Sequence, residues 1–210
     1  MRSLLRPPRR RWPCSRLKNT IDIMQDVVQQ TLHALSVHDG VTRVLVIFCA
    51  SVLVYLLGAA WIVAVAVAAG HAALSPAIVV RFVLMGALAY LASHVLTSLV
   101  IDPRPYVVAH AAPLVPVAHD NGFPSDHTLL AATLTASLCW IDRRFLVPCV
   151  VAVLLIMAGR LGIGAHHTID VLGSIAVTAL AFALASAVRL PSAWARPLFP
   201  TSPRRRRATR

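Results

Sequence analysis

The chain has 210 residues, 58% of them apolar, with 20 Lys/Arg against 8 Asp/Glu and a net charge of +12. Only 13% of its residues are charged, about half the share of an ordinary soluble domain, and the mean hydropathy is +0.72. These values exclude a disordered polymer, argue against a soluble fold, and allow one compact unit or at most two small ones.

The charge is unevenly placed. Residues 1–19 hold seven cations and no acid, residues 189–210 hold seven more and no acid, and the body between them is close to neutral with six cations and eight acids. A nucleic-acid binder spreads Lys and Arg over a folded face interleaved with aromatics, so no nucleic-acid partner is expected. The four cysteines (Cys14, Cys49, Cys139, Cys149) show no paired or metal-type spacing. Three of them lie in apolar runs, where a free Cys acts as a small hydrophobe.

In chain order, the Arg/Pro-rich segment 1–19 is expected to be a disordered tail. It looks like the basic start of a signal peptide, but residues 20–38 are not a continuous apolar run, so cleavage there is not expected. Within 20–38, Ile21, Met24, Val28, Leu32 and Leu35 recur three or four apart. That spacing predicts an amphipathic helix at the membrane interface or against a bundle. Residues 44–69 are 26 consecutive uncharged residues and 82–101 give 20 more, each enough to span a bilayer. Three further apolar stretches follow at about 123–141, 145–164 and 171–188. Two of these have uninterrupted apolar cores of only 15 residues, 127–141 and 145–159, and reach spanning length only if the polar residues at their ends join the helix. The expected fold is all-α: an integral-membrane helical bundle of about five transmembrane helices plus the N-terminal amphipathic helix. It forms one domain over 20–190, and 191–210 is a second disordered basic tail.

Alternating spans place the connection 102–122 and the connection near 165 on one side of the membrane. The Asp142-Arg143-Arg144 turn and the C-terminal arginines fall on the other, which the positive-inside rule makes cytoplasmic. With five spans the N-terminal arginines lie on the outer side, against that rule.

Ionisable residues at span ends are costly and read first as functional. Arg104, His127, Arg160, His166 and Asp170 converge on the outer side by topology. His166 and Asp170 are four apart and share a helix face, and a carboxylate beside an imidazole suits a nucleophile or base. Two arginines point to an anion, because guanidinium grips phosphate oxygens in a fork. Pro124-Ser125-Asp126-His127 precedes an apolar helix, so Ser125 is a candidate N-cap and the helix start a ready anion site. His127 then stands where it can protonate a leaving oxygen. Taken singly, each feature also has an ordinary structural reading: a stabilised His, topology cations, a plain cap. Together they imply phosphoryl transfer at a membrane surface. A metal reading through His127, His166, His167 and Asp170 lacks a helical ligand pair and sets two arginines beside a dication; no metal and no cofactor are expected.

The sequence resembles the type 2 phosphatidic acid phosphatase superfamily, with its motifs Lys-x6-Arg-Pro, Pro-Ser-Gly-His and Ser-Arg-x5-His-x3-Asp. Arg104-Pro105 matches the end of the first. Phe123-Pro124-Ser125-Asp126-His127 matches the second with Asp for Gly, and Gly159-Arg160-x5-His166-x3-Asp170 the third with Gly for Ser. The resemblance implies His166 as the nucleophile forming a phosphohistidine, Asp170 orienting it and His127 as general acid. It implies Arg104, Arg160 and Ser125 on the phosphate, with Asp126 beside them. The second motif looks like that of the bacterial undecaprenyl-pyrophosphate phosphatase branch. The implied partner is therefore a polyprenyl diphosphate or another phosphorylated lipid, cleaved outside the bacterial cytoplasmic membrane. Thr97 stands at the lysine position, with His94 and Arg81 as possible compensating residues. Gly159 lacks the serine hydroxyl, and His167 is an alternative nucleophile.

Overall fold

The computed structural model describes residues 26–71 and 73–199. Among these residues, eight α-helices follow one another: α1 Val27–His38, α2 Gly40–Ser51, α3 Leu53–Gly70, α4 Pro76–Leu99, the single turn α5 Pro105–Val108, α6 Asp126–Ile141, α7 Leu146–Gly162 and α8 Thr168–Ala187. Short 3-10 turns lie at Arg143–Phe145 and Ser192–Ala195. The chain is a multi-pass membrane bundle. Among the described residues, four segments are long and apolar enough to cross a bilayer: Leu53–Gly70, Pro76–Leu99, Arg143–Gly162 and Thr168–Ala187. Large apolar side chains such as Ile62, Val83, Leu91, Leu154 and Leu180 face outward, as lipid contact requires and water would penalise.

The helix starts carry local signals. Asp26 accepts from Gln29 N–H at the head of α1, and Asp39 accepts from Thr42 N–H at the head of α2. Ser75 caps α4, with Pro76 in its first turn; both residue types suit that place. The first expected span, 44–69, is two helices rather than one. At Val52 the N–H of Tyr55 turns to the Val52 carbonyl at 3.0 Å while Leu56 N–H reaches the same oxygen at 3.3 Å, a locally tightened turn that breaks the ladder.

Helix α6, the third expected span, has 16 residues, about 24 Å of rise, and runs among α3, α4, α7 and α8. Its buried face is small and polar as well as apolar, with Thr128, Thr133, Thr135 and Ser137 beside Ala131, Ala132 and Leu138. The hydroxyl of Ser137 accepts from Trp61 Nε1 on α3 at 2.7 Å. Leu57, Ala64, Leu138, Val153 and Ile156 form the core on one side of α6; Met85, Ala89, Leu129, Ala181 and Ala185 form it on the other.

The amphipathic helix docks on the bundle. Gln29 Nε2 donates to Leu161 O, His33 Nδ1 lies 2.8 Å from Gly162 O, and Asp26 accepts from Thr168 N–H and Oγ1. The N-terminal segment therefore enters at the end of the bundle where α7 passes into α8. Residues 191–199, assigned by composition to the C-terminal tail, form an ordered turn instead. Ser192–Ala195 packs on α4, and Leu198 N–H donates to Leu74 O at 2.8 Å; Trp194, Leu198 and Phe199 give this stretch the apolar surface a disordered tail lacks. The 1–19 tail, the 20–25 start of the amphipathic segment and the arginines at 204–210 lie outside the described residues.

Candidate active site

Helix α4 ends, α6 begins and α7 turns into α8 at one end of the bundle. Arg160 sits in the last turn of α7 and Asp170 in the first turn of α8. His166 and His167 lie between them, and the 100–125 connection folds over the gap with Arg104, Asp120 and Gly122.

His166 is almost wholly buried, 2% exposed. Its Nδ1 lies 3.0 Å from Gly122 O and 3.3 Å from Asp170 Oδ2. A ring nitrogen facing a carbonyl carries the proton, so Nε2 keeps its lone pair. That Nε2 lies 3.2 Å from Arg104 Nη1 and 3.1 Å from Arg160 Nη2. Guanidinium nitrogens only donate, so both arginines point N–H groups at the same lone pair and the tautomer is fixed from both sides. Burial first, then the charges of Arg160 and Arg104, hold His166 well below the ordinary imidazole value. The ring is neutral at neutral pH, as a nucleophile must be.

Asp170, expected to orient His166, shares that task with Gly122. Its Oδ2 also accepts from His167 N–H at 2.8 Å. Gly122 has little room for a side chain: a Cβ there would lie 3.1 Å from both Asp102 O and Asp170 Oδ2. Sequence reasoning gave Gly122 no role, and no sequence signal marks a carbonyl acceptor.

The Arg104 side chain is buried and fully engaged. Its Nε and Nη2 donate to Asp120 Oδ1 at 2.9 and 2.6 Å, and Nη1 also reaches Ala165 O at 3.1 Å. Asp120 is largely exposed, so a surface carboxylate covers the guanidinium edge that faces solvent. Asp120 lies in the loop that topology places on this face, and nothing in its spacing signals the contact with Arg104.

A cavity of about 370 Å³ opens here, lined by Arg104, Asp120, Asp126, His127, Arg160 and His166, with Ser51, Tyr55 and residues 115–118. It brings together five of the seven expected site residues. Ser125 and Asp170 lie behind its wall, both fully buried. Ser125 occupies the N-cap position of α6 but makes no side-chain cap; its Oγ lies 3.2 Å from the Thr128 hydroxyl. The expected capping hydroxyl is corrected accordingly. His167 turns away from the cavity, its Nδ1 3.2 Å from Asp102 Oδ1, so of the two adjacent histidines only His166 meets the arginines.

The motif departures have structural causes. Thr97 Oγ1 donates to Phe123 O at 3.1 Å and is not part of the cavity wall. His94 packs edge-on against Tyr90, in a groove between α4 and α6 that it shares with Thr97. Arg81 stands sixteen residues before Thr97 on α4, about 24 Å along the helix, and does not compensate for the missing lysine. At Gly159 a Cβ would come 2.5 Å from Ala50 N and 2.8 Å from Cys49 C: helix α2 crosses α7 where the family carries serine.

The chain is similar to known proteins. A family model described as the PAP2 superfamily matches residues 78–194. The chain is similar to undecaprenyl-diphosphatase BcrC of Bacillus subtilis (strain 168), 35% identical over 85 residues, which cover 40% of this chain and 44% of that protein. It thus spans less than half the length of that relative. Among solved structures, a transmembrane PAP2-type phosphatidylglycerolphosphate phosphatase from Bacillus subtilis aligns with a TM-score of 0.49 and 20% identity, over 82% of this chain and 92% of that one. The family match takes in more than half of the chain and every residue around the His166 cavity from Arg104 to Asp170, and on that ground the chain belongs to the PAP2 superfamily.

Proposed function

We propose that this protein removes a phosphate from a membrane lipid phosphate, with a polyprenyl diphosphate such as undecaprenyl pyrophosphate as the preferred substrate. The observation that carries the reading is His166 Nε2, an unprotonated ring nitrogen held between two guanidinium groups at the floor of a cavity.

The terminal phosphate enters with its oxygens against Arg104 and Arg160, which neutralise charge as it builds on phosphorus. The Nε2 lone pair forms the N–P bond while the bond from phosphorus to the bridging oxygen breaks. His127, on the cavity wall, gives its proton to that oxygen, and the lipid monophosphate departs. A water then attacks the phosphohistidine, His127 takes its proton, the N–P bond breaks, and phosphate leaves with His166 restored. No metal enters these steps. Asp126 is exposed at the rim of the cavity.

The diphosphate preference rests on the form of the second motif and on the similarity to a protein named undecaprenyl-diphosphatase. Arg143 and Arg144 at the far end of α6 and α7 support, by the positive-inside rule, a cavity on the outer face of the cytoplasmic membrane, where a spent cell-wall lipid carrier is recycled.

The test is phosphate release by the full chain in detergent, over polyprenyl diphosphate, polyprenyl monophosphate, phosphatidate and phosphatidylglycerol phosphate. Turnover highest on the diphosphate, unaffected by EDTA and reduced about 10³-fold or more in His166→Ala, is the expected result. Tight diphosphate binding without turnover would make the protein a lipid-diphosphate binder. Activity surviving in a folded His166→Ala protein removes the nucleophile assignment.

A further inference from the structure

Behind His166, Asp170 meets two further ionisable side chains, Asp102 and His167, that the mechanism above does not use. Asp102, His167 and Asp170 are each at least 95% buried, and their polar atoms lie within 4.8 Å of one another. The carboxyls of Asp102 and Asp170 lie side by side within that distance. Apart from that contact and the neighbouring His167 ring, both oxygens of Asp102 and Oδ1 of Asp170 have no hydrogen-bond partner among the described residues. Two ionised carboxylates in contact out of water repel strongly, and one proton between them satisfies both.

We propose that Asp102 and Asp170 share a single proton, which moves from Asp170 to Asp102 as His166 is phosphorylated. The proposal rests on the lipid-phosphatase reading given above. At rest the negative charge sits on Asp102, where His167 Nδ1 is 3.2 Å away. Burial alone would raise Asp102, but hydrogen bonds from His167 and Asp170, with the charges of His167 and Arg104, outweigh it and hold Asp102 below the ordinary carboxylate value. When Nε2 bonds to phosphorus the ring becomes cationic, with its proton still on Nδ1. The shared proton then passes to Asp102, and Asp170 Oδ2, 3.3 Å from Nδ1, carries the negative charge. No charge is created or lost in the pair; it shifts toward the ring as the ring turns positive. Arg104, Arg160 and His127 face His166 from the cavity, Asp120 and Asp126 lie at the rim, and Asp26 faces His167 from α1. Asp102 is thus a positioning residue acting through Asp170.

The experiment compares the wild type with Asp102→Asn, full-length in detergent, on a polyprenyl diphosphate. In Asp102→Asn the amide donates to Asp170, which stays ionised at rest and favours the protonated, unreactive His166. The acid limb of kcat/KM is expected to rise by about one to three pH units, as for an opposite charge beside a titrating group, while the plateau falls less than tenfold. A merely structural role lowers the plateau and leaves the limb in place. Infrared spectra of protein carrying isotopically labelled aspartate give a second readout that needs no turnover. The carbonyl band of a protonated carboxylic acid is expected at neutral pH in the wild type and absent in Asp102→Asn. A wild type without that band, an unmoved acid limb in a folded variant, or one tightly held divalent metal per chain overturns the shared proton. If Asp102→Asn does not fold, the wild-type spectrum and metal content decide alone. A protein that shows the band but cleaves no lipid phosphate overturns the phosphatase reading instead.

Discussion

Restoring the family's serine at position 159 is expected to damage this protein rather than improve it. The first atom that Gly159→Ser adds is a Cβ placed 2.5 Å from Ala50 N, 2.8 Å from Cys49 C and 3.0 Å from Ala50 Cα. All three are backbone atoms inside α2, so no side chain can swing aside; α2 must move off α7. Ala50 and Ile163 are fully buried in the cluster that joins these helices, and separating them opens that contact. Overpacking of this kind costs about 1–3 kcal/mol, which lowers a thermal midpoint by several degrees. Arg160 is the next residue, so the same displacement shifts one of the two guanidiniums at His166 Nε2, and a shift of about 1 Å is enough to cost about 10²-fold in rate. Thermal unfolding in detergent and phosphate release are measured on Gly159→Ala and Gly159→Ser together. Alanine adds the Cβ without the hydroxyl, so the two should lose similar stability and similar rate. A serine variant that matches the wild type in stability and exceeds it in rate, with alanine neutral, would show that position 159 lacks only a hydrogen-bond donor, and would refute the steric account.

Asp120→Asn is expected to tighten inhibition by orthovanadate or inorganic phosphate about twofold to fivefold, since a carboxylate that exposed is worth at most about 1 kcal/mol to Arg104 yet holds the edge the anion needs; inhibition that stays equal or weakens would show that Asp120 does not compete. Acid stability gives a separate check. An unfolded histidine takes up a proton near pH 6.5, while native His166 accepts one only at much lower pH. The unfolded state therefore holds the extra proton between those values, and stability falls as pH drops, by about 1.4 kcal/mol per unit for this group. His166→Gln should flatten the fall in unfolding free energy between pH 6.5 and 5, and equal slopes in the two proteins would remove His166 as its source.

The parts of the site that carry charge were legible in the sequence, because charge inside an apolar span has few explanations. Arg160 follows fifteen apolar residues and His166 and Asp170 stand four apart, and five of the seven residues expected at the site line one cavity. The parts that use backbone or shared protons were not legible. Gly122 acts through a carbonyl, which every residue has. Asp102 and Asp120 were visible only as acids in a loop, and nothing in their spacing tells which one meets Arg104 and which one meets Asp170. Ser125 read as a capping serine by residue type, but Thr128 one turn later lies against its hydroxyl. The fold shows the same division: the amphipathic period of the N-terminal segment indicated a helix, while the break at Val52 has no composition signal, there being no Pro or Gly at that point.

The two motif departures carry the same structural logic. At position 97 a lysine would extend toward the anion; the threonine instead holds the loop that holds the nucleophile. Its hydroxyl donates to Phe123 O, and its own carbonyl accepts from Asn121 Nδ2 at 2.9 Å. Asn121 in turn accepts from Asp102 N–H at 2.7 Å, and Gly122 N–H donates to Asp102 O at 2.8 Å. These bonds pin residues 121–123 to the end of α4 and set Gly122 O against His166 Nδ1. Position 97 therefore acts on the ring from behind rather than on the phosphate from in front. Glycine at 159 does the equivalent on the opposite wall, admitting α2 so that α1 and α2 brace the α7–α8 turn that carries His166. Relative to the family motifs the chain lacks one cation and one hydroxyl, and on the proposed reading Arg104 and Arg160 are the guanidinium groups left to meet the anion in the cavity.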